Sequence, residues 1–156
     1  MLTLGEMMLA IEDIVGTWKL TCCETRYCDG RTGVHPVGEN ATGYILYNPD
    51  GYVSLELVAQ KRLSFTQQDP FAETEEGYAE LMRSHLSYVG TFEIRGDYLI
   101  HHVEISSYPD FIGHKIERFT RLEDDKLYQT TEPLFMHGES HVVHLELQRV
   151  TSAVAV

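Results

Sequence analysis

Residues 98–118 read Tyr-Leu-Ile-His-His-Val-Glu-Ile-Ser-Ser-Tyr-Pro-Asp-Phe-Ile-Gly-His-Lys-Ile-Glu-Arg and predict two strands joined by a loop with proline and glycine. Because the side chains of a strand alternate between its faces, His102 and Glu104 share one face of the first strand. Folding the pair about its loop sets His102 roughly opposite Arg118. Three ionisable groups on an otherwise apolar face cost free energy unless they are paired or used. The stretch therefore predicts an antiparallel pair with a polar site on one face.

The second strand of this pair indicates which face is turned inward. One face of residues 114–122 is mostly charged and needs water, whereas the other is apolar except for Thr120 and Arg118. The face of Arg118 is therefore predicted to line the interior. This orientation places His102 inside and its neighbour His101 outside.

The rest of the chain predicts further short strands linked mainly by hairpin turns. The expected strands are residues 14–26, 42–48, 52–59, 86–94, 98–106, 114–122, 126–132 and 141–151, with helices at 3–13 and, between the third and fourth strands, at 70–84. Eight antiparallel strands are enough to close an up-and-down barrel around one small ligand. We therefore expect a single all-β domain over residues 1–156, with the barrel at about 13–151.

The charge balance argues against two classes of partner. The chain has 12 Lys and Arg residues against 24 Asp and Glu residues, which gives a formal net charge of -12. This charge would repel a phosphate backbone, so no nucleic-acid partner is expected. The sequence also lacks a basic amphipathic stretch and an apolar run near the roughly 20 residues that span a bilayer, so no membrane association is expected.

The N-terminus and the cysteines indicate a cytoplasmic protein. The first residues lack the basic region of a secretory signal. Cys22, Cys23 and Cys28 are an odd number of closely spaced cysteines, which is a poor disulfide framework. Adjacent residues of a strand point to opposite faces, so Cys22 and Cys23 cannot hold a metal ion together. Free thiols are expected.

Several short motifs, in order, resemble those of a known barrel family. Gly16-Thr-Trp18 near the start and Arg149 at the end of the last strand are similar to the lipocalin and calycin signature. The chain more closely resembles the lipocalin-like domain family of bacteria and fungi, although Leu147 stands where tryptophan is usual. The matching segments are Gly43-Tyr-Ile-Leu-Tyr-Asn-Pro-Asp-Gly51, Tyr88-Val-Gly-Thr-Phe92, His101-His-Val-Glu104, Pro109 to Gly113, Arg118 and Leu145-Glu-Leu-Gln-Arg149. This resemblance implies a lipocalin-like barrel, and the family includes both carriers and cofactor-free cyclases or isomerases.

The predicted inner faces define a mostly apolar lumen with a few polar groups, which is typical of small-molecule sites. The residues expected to bind the ligand are Trp18, Glu24, Tyr44, Leu55, Tyr88, Phe92, Ile100, Gln129 and Thr131. Trp18 is also expected to stack with Arg149 as a structural cation–π pair.

The leading functional hypothesis is a cofactor-independent isomerase, cyclase or dehydratase of specialised metabolism. In it, His102 is the acid/base group, Glu104 orients His102, and Arg118 holds an oxygen of the substrate. The sequence has no phosphate-binding or dinucleotide-binding glycine motif and no nucleophile elbow, so no cofactor is expected. The histidine spacings do not match a zinc motif, so no metal is expected.

Two other functions stay open on the sequence alone. The protein is a non-catalytic carrier of a small molecule, or it is an interaction protein whose barrel is filled by its own side chains. A structural interpretation of the polar cluster also stays open, as a buried network that fixes strand register, with Arg118 and Glu104 as an ion pair. A homodimer is compatible with each of these functions.

Overall fold

Eight antiparallel strands close into a barrel in the computed structural model, as the sequence predicts. The structure describes residues 8–62, 69–136 and 138–154. Two further short strands, two α-helices and one 3-10 helix complete the elements of these ranges. In chain order they are α1 (Ile11–Ile14), β1 (Gly16–Tyr27), β2 (Thr32–Val34), β3 (Thr42–Tyr47), β4 (Tyr52–Val58), α2 (Glu75–Arg83), β5 (His85–Arg95), β6 (Tyr98–Ser106), the 3-10 helix (Pro109–Phe111), β7 (Lys115–Glu123), β8 (Lys126–Thr131), β9 (Leu134–Met136) and β10 (Glu139–Arg149).

The barrel closes through its first and last strands. The order of neighbours is β1, β3, β4, β5, β6, β7, β8 and β10, and β10 pairs back onto β1. This seam runs from the pair Trp18–Arg149 to the pair Tyr27–His141. β2 and β9 extend the sheet at the Tyr27 end of the seam. Closing the sheet on itself removes the long free edges that an open sheet exposes.

The described helices are shorter than the predicted ones. Within the predicted span 3–13, α1 begins at Ile11, and residues 3–7 lie outside the described ranges. α2 lies between β4 and β5, and the Gly77 N–H donates to the Thr74 hydroxyl at 3.0 Å. This cap satisfies one of the amide groups that a helix start leaves unpaired. No helix among the described residues is long and apolar enough to cross a bilayer.

One end of the barrel is closed by Trp18. Its indole is fully buried, and its N–H donates to the carbonyl of Ile14 at 2.8 Å. The Arg149 guanidinium lies 4.2 Å from the ring centroid and donates to the carbonyl of Val15 at 3.0 Å. The predicted stacking of Trp18 with Arg149 is therefore confirmed, and it attaches the end of β10 to α1.

The connections at the opposite end fold partly into the barrel mouth. His35 and Val37, from the connection between β2 and β3, are buried to 7% and 8% exposure. The connections after β4, β6 and β8 lie at this same end, because neighbouring strands of the barrel are antiparallel. The mouth is therefore the end of the barrel opposite Trp18.

The pairing of β6 with β7 differs from the predicted register by an odd number of residues. His102 lies opposite Lys115, and Leu99 lies opposite Arg118. An odd shift turns every side chain of a strand to the other face. The predictions that His102 faces inward and His101 faces outward are therefore wrong.

The cause lies in the connection between β6 and β7. The Val103 N–H donates to the carbonyl of His114, and the Gly113 N–H donates to the carbonyl of Val103. Residues 104–106 thus run past the end of β7, and Ile105 and Ser106 pair with β5. The pairing changes register between Val89 and Gly90, because Glu104 is an extra residue of β6 without a partner in β5. Folding the sequence symmetrically about the loop predicts neither the extension of β6 past β7 nor the change of register between β5 and β6.

Gly90 permits a close approach of two backbones. A Cβ atom at this position would stand 1.8 Å from the carbonyl oxygen of His102. Only glycine fits such a contact without displacing a strand. The sequence suggests that Gly90 leaves room for a ring or a ligand, but the space that it frees is occupied by the backbone of β6.

The inner face of β3 is also the opposite of the predicted one. Tyr44 is 39% exposed, whereas Ile45 and Tyr47 are buried opposite Leu55 and Val53. Both faces of this strand are apolar, so its alternation alone cannot show which face is buried. The prediction that Tyr44 lines the lumen is wrong, whereas Leu55 is buried as predicted.

Replacing Arg149 by methionine is expected to lower the free energy of unfolding by roughly 2 kcal/mol, because its stacking and its hydrogen bonds to the N-terminal segment are lost. Arg121→Met is the matched control, since Arg121 also stacks on an aromatic ring, that of Tyr128 at 4.6 Å, but is exposed. In this control, the free energy of unfolding is expected to fall by no more than about 0.5 kcal/mol. Urea unfolding followed by circular dichroism measures both. Equal losses of free energy would show that the stack of Arg149 on Trp18 contributes no more to stability than an exposed stack.

Candidate ligand-binding site

Five polar side chains inside the barrel form one hydrogen-bonded chain. Gln129 Nε2 donates to the Tyr47 hydroxyl at 2.9 Å, and Arg118 Nη2 donates to the Tyr88 hydroxyl at 3.2 Å. Between the two tyrosines, His101 bonds Tyr47 through Nε2 at 2.7 Å and Tyr88 through Nδ1 at 2.5 Å. None of the five is more than 6% exposed. Since each comes from a different strand, the chain of bonds crosses the barrel interior.

The number of protons in this hydrogen-bonded chain leaves one phenolic O–H donor unused. A neutral imidazole donates from one ring nitrogen and accepts at the other, so His101 donates to one tyrosine and accepts from the other. Both hydroxyls already accept a hydrogen bond, from Gln129 or from Arg118. The tyrosine that receives the imidazole proton therefore keeps its own O–H proton for another acceptor. Either tautomer of His101 leaves one such phenolic donor.

Four other buried polar atoms of the interior also lack partners among the described residues. They are Nε and Nη1 of Arg118, Oε1 of Gln129 and Nε2 of His141. Buried polar groups are normally hydrogen-bonded, and exceptions often mark sites where another molecule binds. The interior thus holds unused donors at Arg118 and an unused acceptor at Gln129.

Two histidines add a polar region near the barrel mouth. The Val37 N–H donates to Nδ1 of His35 at 3.2 Å, so a neutral His35 carries its proton on Nε2. His141 Nδ1 lies 3.3 Å from the carbonyl of Glu139, which leaves Nε2 of a neutral His141 as an acceptor. One ring therefore presents a donor and the other an acceptor. Among the described residues, no group of three His, Cys, Asp or Glu side chains is arranged to hold a metal ion.

Comparison with known families identifies the barrel. Residues 15–150 match the model of the lipocalin-like domain family. The chain belongs to this family. The match covers nearly all of the barrel and confirms the resemblance found in the sequence motifs.

A curated relative of this lipocalin-like protein has a named ligand. It is the 4'-hydroxy-3'-methoxypropiophenone carrier protein of Aspergillus oryzae (strain ATCC 42149 / RIB 40), which is 33% identical to this chain. The similarity covers 54% of this chain and 86% of the relative.

Burial favours the neutral forms of His101, His35, Tyr47 and Tyr88 in the lipocalin-like interior. Loss of solvation lowers the pKa of His101 far below its usual range, and the nearby Arg118 guanidinium lowers it further. The same two causes lower the pKa of His35 to about 4. Loss of solvation also raises the pKa values of Tyr47 and Tyr88. At neutral pH, the guanidinium therefore faces imidazoles and phenols that carry no charge.

The structure does not bring together the three residues predicted to be catalytic. His102 is exposed on the outside of the barrel, where Nε2 lies 3.1 Å from a carboxylate oxygen of Glu93. Glu104 is also exposed. Of the three, Arg118 alone faces the interior. Arg118 and Glu104 lie on opposite faces of the sheet, so the ion pair of the structural alternative is not formed.

Most of the residues predicted to bind the ligand do face the interior. Ile100 is buried but lies on the face of β6 opposite to His101, outside the main core. Glu24 is 32% exposed and pairs with Arg26 at 2.7 Å. The buried residues with inward side chains are Trp18, Leu55, Tyr88, Phe92, Gln129 and Thr131. Trp18 packs at the closed end, and Thr131 Oγ1 is occupied by the Val143 N–H at 2.9 Å.

Sequence reasoning missed Tyr47, His101, His35 and His141 as interior polar residues. For His101 a signal was present: the alternate positions 99, 101 and 103 of β6 are apolar except for this histidine, whereas Glu104 shares the His102 face. A carboxylate is more typical of a solvent face. His35 lies in a connection, where alternation gives no orientation.

The lowered pKa values of His101 and His35 predict that this protein loses stability in mild acid. The unfolded chain takes up these protons near pH 6.5, but the folded protein takes them up at lower pH. The free energy of unfolding is therefore highest above pH 6.5 and falls towards pH 5. In His101→Gln the slope over this interval is expected to decrease by up to about 1.4 kcal/mol per pH unit. His102→Gln, on the outer face, is the control and is expected to keep the wild-type slope. Urea unfolding at a series of pH values tests this, and identical slopes for both variants would contradict the burial of His101.

Proposed function

We propose that this lipocalin-like protein is a carrier that binds a small, mostly apolar molecule with oxygen substituents in its barrel. The observation that carries the proposal is the buried chain from Gln129 to Arg118, with hydrogen-bonding atoms that no described residue uses. A network with a structural role alone would be expected to satisfy its own polar atoms, because unpaired buried polar atoms are destabilising.

The unused atoms match a ligand with both an oxygen acceptor and a hydroxyl group. Nε and Nη1 of Arg118 and the free phenolic O–H offer donors to a carbonyl or similar oxygen. Gln129 Oε1 and His141 Nε2 offer acceptors to a hydroxyl group. The surrounding wall is apolar: the Phe92 ring, for example, packs edge-on against Tyr47 with the ring centroids 4.9 Å apart. Such walls with a few polar groups suit an aromatic frame.

The name of the relative supports the same class of ligand. The molecule carried by the Aspergillus oryzae protein is an aromatic ketone that also bears a hydroxyl and a methoxy group. Its ketone and hydroxyl correspond to the acceptor and donor that the unused atoms of this barrel would bind. We therefore propose aromatic ketones or phenols of specialised metabolism as the ligand class.

Titration calorimetry with 4'-hydroxy-3'-methoxypropiophenone tests this function. Saturable binding at one site per chain is expected for the wild type. Tyr88→Phe removes the hydroxyl that joins Arg118 to His101, so its affinity is expected to be about tenfold weaker. Tyr44→Phe is the matched control, because the Tyr44 side chain is on the outer surface and is expected to leave the affinity unchanged. Failure of the wild type to bind, or equal effects of both variants, would reject the proposed site.

The second candidate is a cofactor-independent isomerase, cyclase or dehydratase. One observation favours it: the neutral imidazole of His101 lies between two phenols and can pass a proton from one side to the other. In this candidate His101 takes the acid/base role predicted for His102, Tyr88 is its proton partner, and Arg118 holds the developing oxyanion. Glu104 has no role, because it lies outside the barrel.

Deuterium exchange separates the two candidates. The same ketone is incubated with the protein in D2O, and the protons on the carbon beside its carbonyl are followed by NMR. With a carrier, these protons are expected to exchange no faster than in buffer alone, and the ligand is expected to be recovered unchanged. Exchange that is accelerated by the wild type, retained in His102→Gln and lost in His101→Gln would favour the enzyme.

A further inference from the structure

Arg118 is a buried cation with no described counter-charge. Its guanidinium is 6% exposed, and its hydrogen-bond partner among the described residues is the neutral hydroxyl of Tyr88. The other groups close to it are the hydroxyl of Tyr47, the imidazoles of His101 and His35 and the thiol of Cys23, none of which is a carboxylate. Burial raises the pKa of that thiol to about 12, so it is also neutral at physiological pH.

Arginines elsewhere in the described structure are compensated. Arg121 pairs with Glu123 at 2.6 Å on the surface. Arg149 donates to backbone carbonyls and lies 3.5 Å from a carboxylate oxygen of Asp125. Arg118 differs from both, because its Nε and Nη1 atoms are buried and have no described partner. Moving a cation out of water is costly unless a charge or several hydrogen bonds replace the lost solvation.

We infer that the ligand binds as an anion whose charged oxygen lies against the Arg118 guanidinium and supplies the missing counter-charge. This inference rests on the proposed binding function and narrows its ligand class. The suitable molecules are apolar or aromatic carboxylates, and phenols or β-dicarbonyls that ionise readily to phenolates or enolates. A hydroxyaryl ketone with its hydroxyl conjugated to the carbonyl belongs to the second group. Charge-assisted hydrogen bonds to guanidinium are among the strong ones in proteins, and the free phenolic O–H adds a further donor.

Two fluorescent probes that differ by one charged group test the inference. 8-Anilinonaphthalene-1-sulfonate is an anion, and N-phenyl-1-naphthylamine is the same frame without the sulfonate. The wild type is expected to bind the anionic probe at least about tenfold more tightly than the neutral one. Arg118→Met is expected to abolish this preference, so that the two probes bind with similar affinity. Arg121→Met, which removes an exposed arginine of the same strand, is the control and is expected to keep the preference.

The outcomes distinguish this inference from the proposed function. If both probes bind with equal affinity, or if Arg118→Met keeps the preference for the anion, the inference is wrong and the binding function stands. If neither probe binds to the wild type, the binding function is itself rejected.

The thermal stability of the same variants gives a second measurement. Without ligand, Arg118→Met is expected to melt at the wild-type temperature or above, since replacing an uncompensated buried charge by a hydrophobic side chain is often stabilising. A saturating anionic probe is expected to raise the melting temperature of the wild type and not that of Arg118→Met. A fall of more than about 5 °C in the variant without ligand would mean that the protein already compensates the charge and would overturn the inference.

Discussion

The hydrogen-bonded chain between Gln129 and Arg118 is the constraint on which the interior depends. Its members come from β3, β5, β6, β7 and β8, and three of its four bonds connect strands that are not neighbours in the sheet. Such bonds fix the register of the strands relative to one another, because a shift by one residue would turn a member outward. The same bonds fix the position of the Arg118 guanidinium. In the proposed function, one network thus both fixes the strands and positions the group that binds the ligand.

The positive charge of Arg118 is buried inside the barrel, whereas the protein as a whole is negatively charged. The formal net charge of the chain is -12, whereas the group inside the barrel is a cation. An anion that approaches the protein is repelled, but at physiological ionic strength salt screens this repulsion at distances beyond about 8 Å. Inside the barrel screening is weak, and attraction to the guanidinium is correspondingly stronger. Under the proposed function, selection of an anionic ligand would therefore depend on the interior and not on electrostatic steering.

The barrel could be predicted from the sequence, but only half of its site could. Turn residues such as Pro49 and Gly51, together with alternating strands, specify a barrel whatever the register of each pair. Arg118 was oriented correctly because the opposite face of its strand is densely charged. His101 and His102 are adjacent, so the choice between them depends on register alone. That register is set by the extra residue Glu104 in the pairing of β6 with β5 and by the residues of β6 that run past β7, which alternation does not reveal.

The seam between β1 and β10 also has a consequence for the order of folding. The bond from Arg149 to the carbonyl of Val15 joins residues 134 positions apart in the chain. Contacts of such long sequence separation are slow to form, because the entropy of closing the loop is lost before the contact is gained. During synthesis, β1 leaves the ribosome long before β10 exists, and until then its edge is open to strands of other chains. The cell therefore has to protect an unfinished barrel for nearly the whole time of translation.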